Sequence, residues 1–135
     1  MAEGSAECSA DVCRVLVVED NPDVARMLEV ALETHGHETE TTRNGTEAIS
    51  VAARHLPHIA IIDLGLPGVD GIYVARELRQ LVPDSLLIAV TGRDDLETIE
   101  RCLASGFNHH FTKPVELDTI IGLLDDWKAR NGCAA

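Results

Sequence analysis

The chain has 135 residues, enough for one ordinary domain that buries a core without disulfide or metal staples. Its composition, 45% hydrophobic and 25% charged, is that of a globular protein, and with 3% aromatics the core has to be aliphatic. A formal net charge of -12 argues against nucleic-acid backbones and anionic lipid as direct partners, because both reward lysine and arginine.

Residues 1–12, "MAEGSAECSADV", carry no periodicity and read as a loose tail. "RVLVV" (14–18) is a continuous apolar run, the pattern of a strand covered on both faces, and it ends at Glu19 and Asp20. Asn21 then caps a helix with Pro22 at its first position, and Val24, Met27, Leu28, Ala31 and Leu32 recur at helical spacing until Gly36 stops it. "HETETT" (37–42) alternates and is polar, as suits an edge strand, and 45–55 is a second helix. "HIAII" (58–62) is another buried strand, ending on Asp63 and a loop shaped by Gly65, Pro67, Gly68 and Gly71. A helix over 71–82 is apolar at Val74, Ala75, Leu78, Leu81 and Val82; the strand "LLIAV" (86–90) ends at Thr91. A helix over 94–105 repeats Leu96, Ile99 and Leu103, and the half-polar strand "FNHHFT" (107–112) ends at Lys113 and Pro114. The last helix carries Leu117, Ile120, Ile121, Leu124 and Trp127; 13–130 is the domain and 131–135 a C-terminal tail.

Strands separated by single helices imply right-handed crossovers and a parallel sheet, hence an α/β, flavodoxin-like (βα)5 doubly wound fold. Two polar edges and three apolar centres fit the strand order 2-1-3-4-5. Ligands of such sheets bind beyond the carboxyl ends of the strands, so Glu19, Asp20, Asp63, Thr91 and Lys113 collect at one rim. Three carboxylates there repel by roughly 4 kcal/mol per close pair at an effective dielectric of 20, and the cluster calls for a cation. Oxygen ligands select a hard divalent ion, and so few carboxylates favour magnesium over calcium. Magnesium with Lys113 would neutralise phosphoryl oxygens, leaving Asp63 free to act as a nucleophile. Taken singly, each residue has a blander account: Glu19 and Asp20 as a polar turn beside Asn21, Thr91 as a helix cap, Lys113 as a surface lysine. Their coincidence at strand ends is what argues for a site.

The remaining chemistry-bearing residues add little. Cys8, Cys13, Cys102 and Cys133 form no CxxC pair and read as reduced thiols, with Cys13 and Cys102 in or near the core. His35, His37, His109 and His110 have no cysteine or carboxylate at ligand spacing. The longest apolar runs fall far short of the roughly 20 residues that cross a bilayer and no signal segment opens the chain, which predicts a cytoplasmic protein with no membrane partner.

Four stretches, "VLVVEDNP" (15–22), "IIDLGLPGVDG" (61–71), "AVTG" (89–92) and "FTKPV" (111–115), together resemble the receiver domain of bacterial two-component response regulators. The resemblance implies that Asp63 accepts a phosphoryl group from a sensor histidine kinase or a histidine phosphotransfer protein. It implies magnesium held by Asp20 directly, by Glu19 largely through water, and by Asp63 and the carbonyl of Gly65. Lys113 would pair with the phosphoryl oxygens, the bond to Pro114 would be cis, and Thr91 would move to report phosphorylation. Two positions depart from the pattern. His110 replaces the usual aromatic partner of Thr91, which reads either as a switch transmitted differently or with pH dependence, or as no more than a half-exposed edge-strand histidine. Gly65 and Arg93 occupy the positions that tune phosphoryl lifetime. The "GFNHHFTKPV" stretch is similar to receivers joined to hybrid histidine kinases. A downstream effector is expected on the 94–128 face through Leu96, Ile99 and His110, as is a phosphorylation-dependent homodimer. The protein is then a signalling module, not an enzyme with a separate substrate.

Three competitors are weaker. A magnesium-dependent phosphatase of the haloacid dehalogenase type needs an acid two residues after its nucleophile, where this chain has Gly65. A flavodoxin-like cofactor binder needs a phosphate-cradling loop where "EDNP" would repel the phosphate. A silent docking module would have no reason to fill every acidic, threonine and lysine position.

Overall fold

The computed structural model describes residues 13–65, 70–92 and 95–131. Five strands alternate with five helices: β1 (Arg14–Val18), α1 (Pro22–Thr34), β2 (Glu38–Thr42), α2 (Gly45–His55), β3 (Ile59–Asp63), α3 (Gly71–Leu81), β4 (Leu86–Thr91), α4 (Leu96–Ala104), β5 (His109–Thr112) and α5 (Leu117–Asn131). All strand pairs are parallel, and the order β2-β1-β3-β4-β5 is the one expected. Side chains alternate across the sheet and divide the core in two. Val15, Val17, Ile59, Ile61, Ile88 and Val90 pack under α1 and α5 with Leu28, Leu32, Ile120 and Leu124. Leu16, Val18, Ala60, Ile62, Leu87 and Ala89 pack on the other face with Val74, Leu78, Cys102 and Phe107. Cys13 and Cys102 are both fully buried.

The element limits differ from expectation for identifiable reasons. Strand β2 begins at Glu38 because the His37 N–H turns back to the Leu32 carbonyl (3.1 Å), closing α1 through Gly36 at φ 88°. Strand β5 begins at His109 because Phe107 drops into the core and the Asn108 side chain accepts from the Leu87 N–H at 2.8 Å. Helix α4 starts at Leu96 because Asp95 caps it, its carboxylate accepting from the Thr98 N–H. Helix α5 runs on through Asn131, one residue into the expected tail, where Asn131 Nδ2 donates to the Trp127 carbonyl.

Two apolar stripes depart in part from expectation. In α1, Leu28 and Leu32 are buried as expected and Ala25 joins them, but Met27 is 47% exposed beside the sheet's carboxyl rim. In α4, Leu96 and Leu103 are 69% and 52% exposed and Cys102 alone is buried. Arg79 joins the sheet's other end: Nη1 donates to the carbonyls of Pro83 and Ser85 (both 2.8 Å), and Nη2 to the Gly106 carbonyl and Asn108 Oδ1.

Candidate functional site

The site is built on the last rungs of the strand ladder. The Glu19 N–H donates to the Thr42 carbonyl (3.0 Å), Leu64 to Val90 (2.9 Å) and Lys113 to Thr91 (2.8 Å), so the backbone beside each strand end is fixed by the sheet. Period-two alternation puts Glu19 in phase with Val15 and Val17, and Asp63 in phase with Ile59 and Ile61. Both carboxylates therefore fall on the α1/α5 side of the sheet. Both are buried, at 4% and 5% exposure, while Asp20 stands in solvent. One oxygen from each of the three lies within 4.8 Å of the others. Lys113 reaches into the group, Nζ standing 2.9 Å from Asp63 Oδ2 and 3.6 Å from Glu19 Oε1. Asp63 Oδ1 accepts from the Gly65 N–H (2.8 Å), and Glu19 Oε2 from the Asn21 N–H (3.1 Å).

Burial pushes the Glu19 carboxyl up from its ordinary value; the Asn21 N–H and Lys113 pull it partly back, and the like charge of Asp63 pushes it further up. Burial lowers the Lys113 ammonium, but its hydrogen bond to Asp63 and the charges of Asp63 and Glu19 outweigh that and leave it raised. One ammonium thus serves two buried carboxylates, with the Asp20 carboxylate near them. This donor set of carboxylate oxygens, partly exposed through Asp20, fits a hard divalent cation.

Thr91 is buried at the end of β4, in register with Thr112, and Asp95 rather than Thr91 caps α4. His110 lies in register with Ala89, and its Nε2 is buried without a hydrogen bond to any described residue. The peptide bond between Lys113 and Pro114 is cis. Pro67, Gly68, Arg93, Cys8 and Cys133 lie outside the described residues. Two contributors were missed from the sequence. Asn21 was read as a helix cap, yet its N–H also holds Glu19. Gly71 was read as shaping the loop, yet a Cβ there would also stand 2.8 Å from Leu64 Cδ2 and 3.3 Å from the Asp63 carbonyl oxygen, so the start of α3 presses on the acidic strand end.

A family profile described as "Response regulator receiver domain" matches residues 15–125. The chain belongs to this family. The receiver domain is 35% identical over 118 residues to the virulence transcriptional regulatory protein PhoP of Salmonella choleraesuis (strain SC-B67), covering 87% of this chain and 53% of that protein. It is 32% identical over 118 residues to the uncharacterized transcriptional regulatory protein YkoG of Bacillus subtilis (strain 168), with 87% and 52% covered. The chain spans about half the length of the curated relatives it matches. Among solved structures, the receiver domain of Francisella response regulator 1452 superposes with a TM-score of 0.80 at 28% identity, covering 88% of this chain and 98% of that one. A two-component response regulator from Clostridium difficile gives 0.83 at 19% identity over 87% and 97%, a likeness of fold. Receiver domains are signalling domains of two-component systems, and the phosphatase reading finds no support in these relatives. Among the described residues no helix is long and apolar enough to cross a membrane.

Proposed function

We propose that the protein is a phosphoacceptor switch in which Asp63 takes a phosphoryl group from a phosphohistidine on a sensor histidine kinase or phosphotransfer protein. The observation that carries the reading is Lys113 Nζ at 2.9 Å from a buried Asp63 within a three-carboxylate cluster. Magnesium is the ion we assign, with Asp20, Asp63, the Gly65 carbonyl and, through water, Glu19 holding it; when bound, it neutralises phosphoryl oxygens and lowers the barrier to transfer. The chain's own residues do the rest. Lys113 neutralises a further phosphoryl oxygen, and the Gly65 N–H fixes Oδ1 so that Asp63 is presented in one orientation. The protein promotes only its own phosphorylation and hydrolysis, and it works in the cytoplasm.

Thr91 and His110 transmit the event. A hydroxyl that turns toward the phosphoryl group changes the packing over His110, whose buried Nε2 awaits a partner. Exposed Leu96 and half-buried Ile99 on α4 then form part of the 94–128 effector and dimer face. Incubation with magnesium and acetyl phosphate tests the reading: one labile phosphoryl mass increment is expected, and Asp63→Asn abolishes it; beryllofluoride, which transfers no phosphoryl group, should instead shift resonances around Thr91. Labelling that persists in that variant moves the acceptor elsewhere.

A further inference from the structure

Beside the acidic site, a cleft of about 350 Å³ opens between α1 and the chain leading from β5 into α5. Val24, Met27 and Leu28 form one wall, Val115 and Ile120 the other, and Val17 lies at the sheet floor; Glu19, Asp63 and Lys113 line the same cleft. Val17 and Ile120 are 0% and 1% exposed and form the packed core beneath the cleft, whose open wall is Met27, 47% exposed. An apolar cleft of ligand size that ends on a phosphoryl-accepting carboxylate is suited to an occupant. A slot with a sheet floor fits an extended alkyl chain. Lys113, the cation beside Asp63 among the described residues, fits that chain's anionic end.

We propose that the cleft receives the aliphatic chain of an acyl phosphate, making longer acyl phosphates better phosphodonors than acetyl phosphate. The inference rests on the phosphoacceptor reading above. The bond between phosphorus and the acyl oxygen breaks, its electron pair leaves on the carboxylate RCOO⁻, and a bond forms between phosphorus and an Asp63 oxygen. No proton, oxidant or further reactant is needed. Each fully buried methylene is worth about a fourfold change, so hexanoyl phosphate in a partly open cleft exceeds acetyl phosphate by roughly tenfold or more in second-order rate.

The test compares acetyl, propionyl, butyryl and hexanoyl phosphates with magnesium, following the aspartyl phosphate by mass, for the intact protein and Met27→Asp. Met27 is 47% exposed, so the variant is expected to fold. A rate rising with chain length, and a hexanoyl to acetyl ratio that falls to about one in Met27→Asp, is the expected result. Binding is read separately with unreactive hexylphosphonate and methylphosphonate. The chain has two methionines, and the ¹³C-methyl resonance of Met27 should shift with the first and not the second. A flat chain-length series, or an unmoved Met27 methyl, overturns the inference while leaving the phosphoacceptor reading intact. The same holds if Met27→Asp slows transfer from a phosphohistidine protein while the series stays flat, which would give the cleft to a protein donor. Failure of every donor to label Asp63 refutes the reading beneath it.

Discussion

Replacing Glu19 by Gln separates what the acidic cluster costs from what it does. The amide keeps an oxygen for the Asn21 N–H, which the carboxylate accepts at 3.1 Å, so local geometry is retained. At an effective dielectric of 20, Lys113 at 3.6 Å attracts Glu19 by about 4.6 kcal/mol, and the Asp63 oxygens within 4.8 Å repel it by about 3.5 kcal/mol or more. These nearly cancel, and the burial cost of the charge remains, in line with the raised Glu19 pKa. Glu19→Gln should therefore stabilise the magnesium-free protein by on the order of 1 kcal/mol, a rise in Tm of about 3–6 °C. The sign of the pH dependence follows. With its pKa raised above 4.5, Glu19 contributes stability that is fully present below 4.5 and lost as pH rises through the folded value, so the variant's advantage grows from pH 4.5 toward neutrality. Magnesium reverses the ranking. At a hundred times its dissociation constant the ion adds about 2.7 kcal/mol to the wild type, and the variant, short of one charge, should gain much less. Thermal unfolding in chelator and in magnesium, across pH, measures all of this. A variant that is less stable in chelator, with an undiminished magnesium increment, would show that the Glu19 charge is held for its ion pair with Lys113 and not for a cation.

Three further substitutions test the frame around the site. Gly71→Ala would press a methyl to 2.8 Å from Leu64 Cδ2, and should cost about 1–3 kcal/mol in urea unfolding and slow phosphorylation of the adjacent Asp63; an unchanged rate would show the contact to be slack. Arg79→Ala removes four hydrogen bonds tying α3 to the turns before β4 and β5, and should lower stability by about 2–4 kcal/mol without altering the magnesium increment. His37 is 3% exposed, and burial first, then Lys128 and His35, lower its pKa below 6.5 against an opposing Asp125. The stability it contributes is present above 6.5 and lost as pH falls through the folded value, and His55 is lowered in the same direction. His37→Leu should flatten the fall in urea midpoint between neutral pH and about pH 5; an unaltered slope would assign it to other groups.

The strand centres were legible because a buried parallel strand leaves no room for polar residues: "RVLVV", "HIAII" and "LLIAV" admit one reading. The rim followed from them, since each run stops on a charged or hydroxyl residue and topology carries those ends together. Periodicity served less well where a helix has more apolar residues than the sheet can cover. Met27 and Leu103 keep helical spacing yet face outward, because spacing defines a stripe without saying where the core lies. Strand β5 was read two residues too long because the Asn108 side chain replaces a ladder bond, a substitution that leaves no mark on a hydropathy pattern. The cleft between α1 and α5 had no local signal at all. It arises where α1 meets the chain leading into α5, segments nearly a hundred residues apart in the sequence.

Among the described residues strand β2 is one edge of the sheet, and its sequence is ETETT, with Glu38 and Glu40 both exposed. A second copy attempting to add its own β2 would bring four carboxylates into one narrow seam. The repulsion guards this border against runaway stacking when the protein is crowded, and concentrated salt, by screening it, is the condition under which the guard fails.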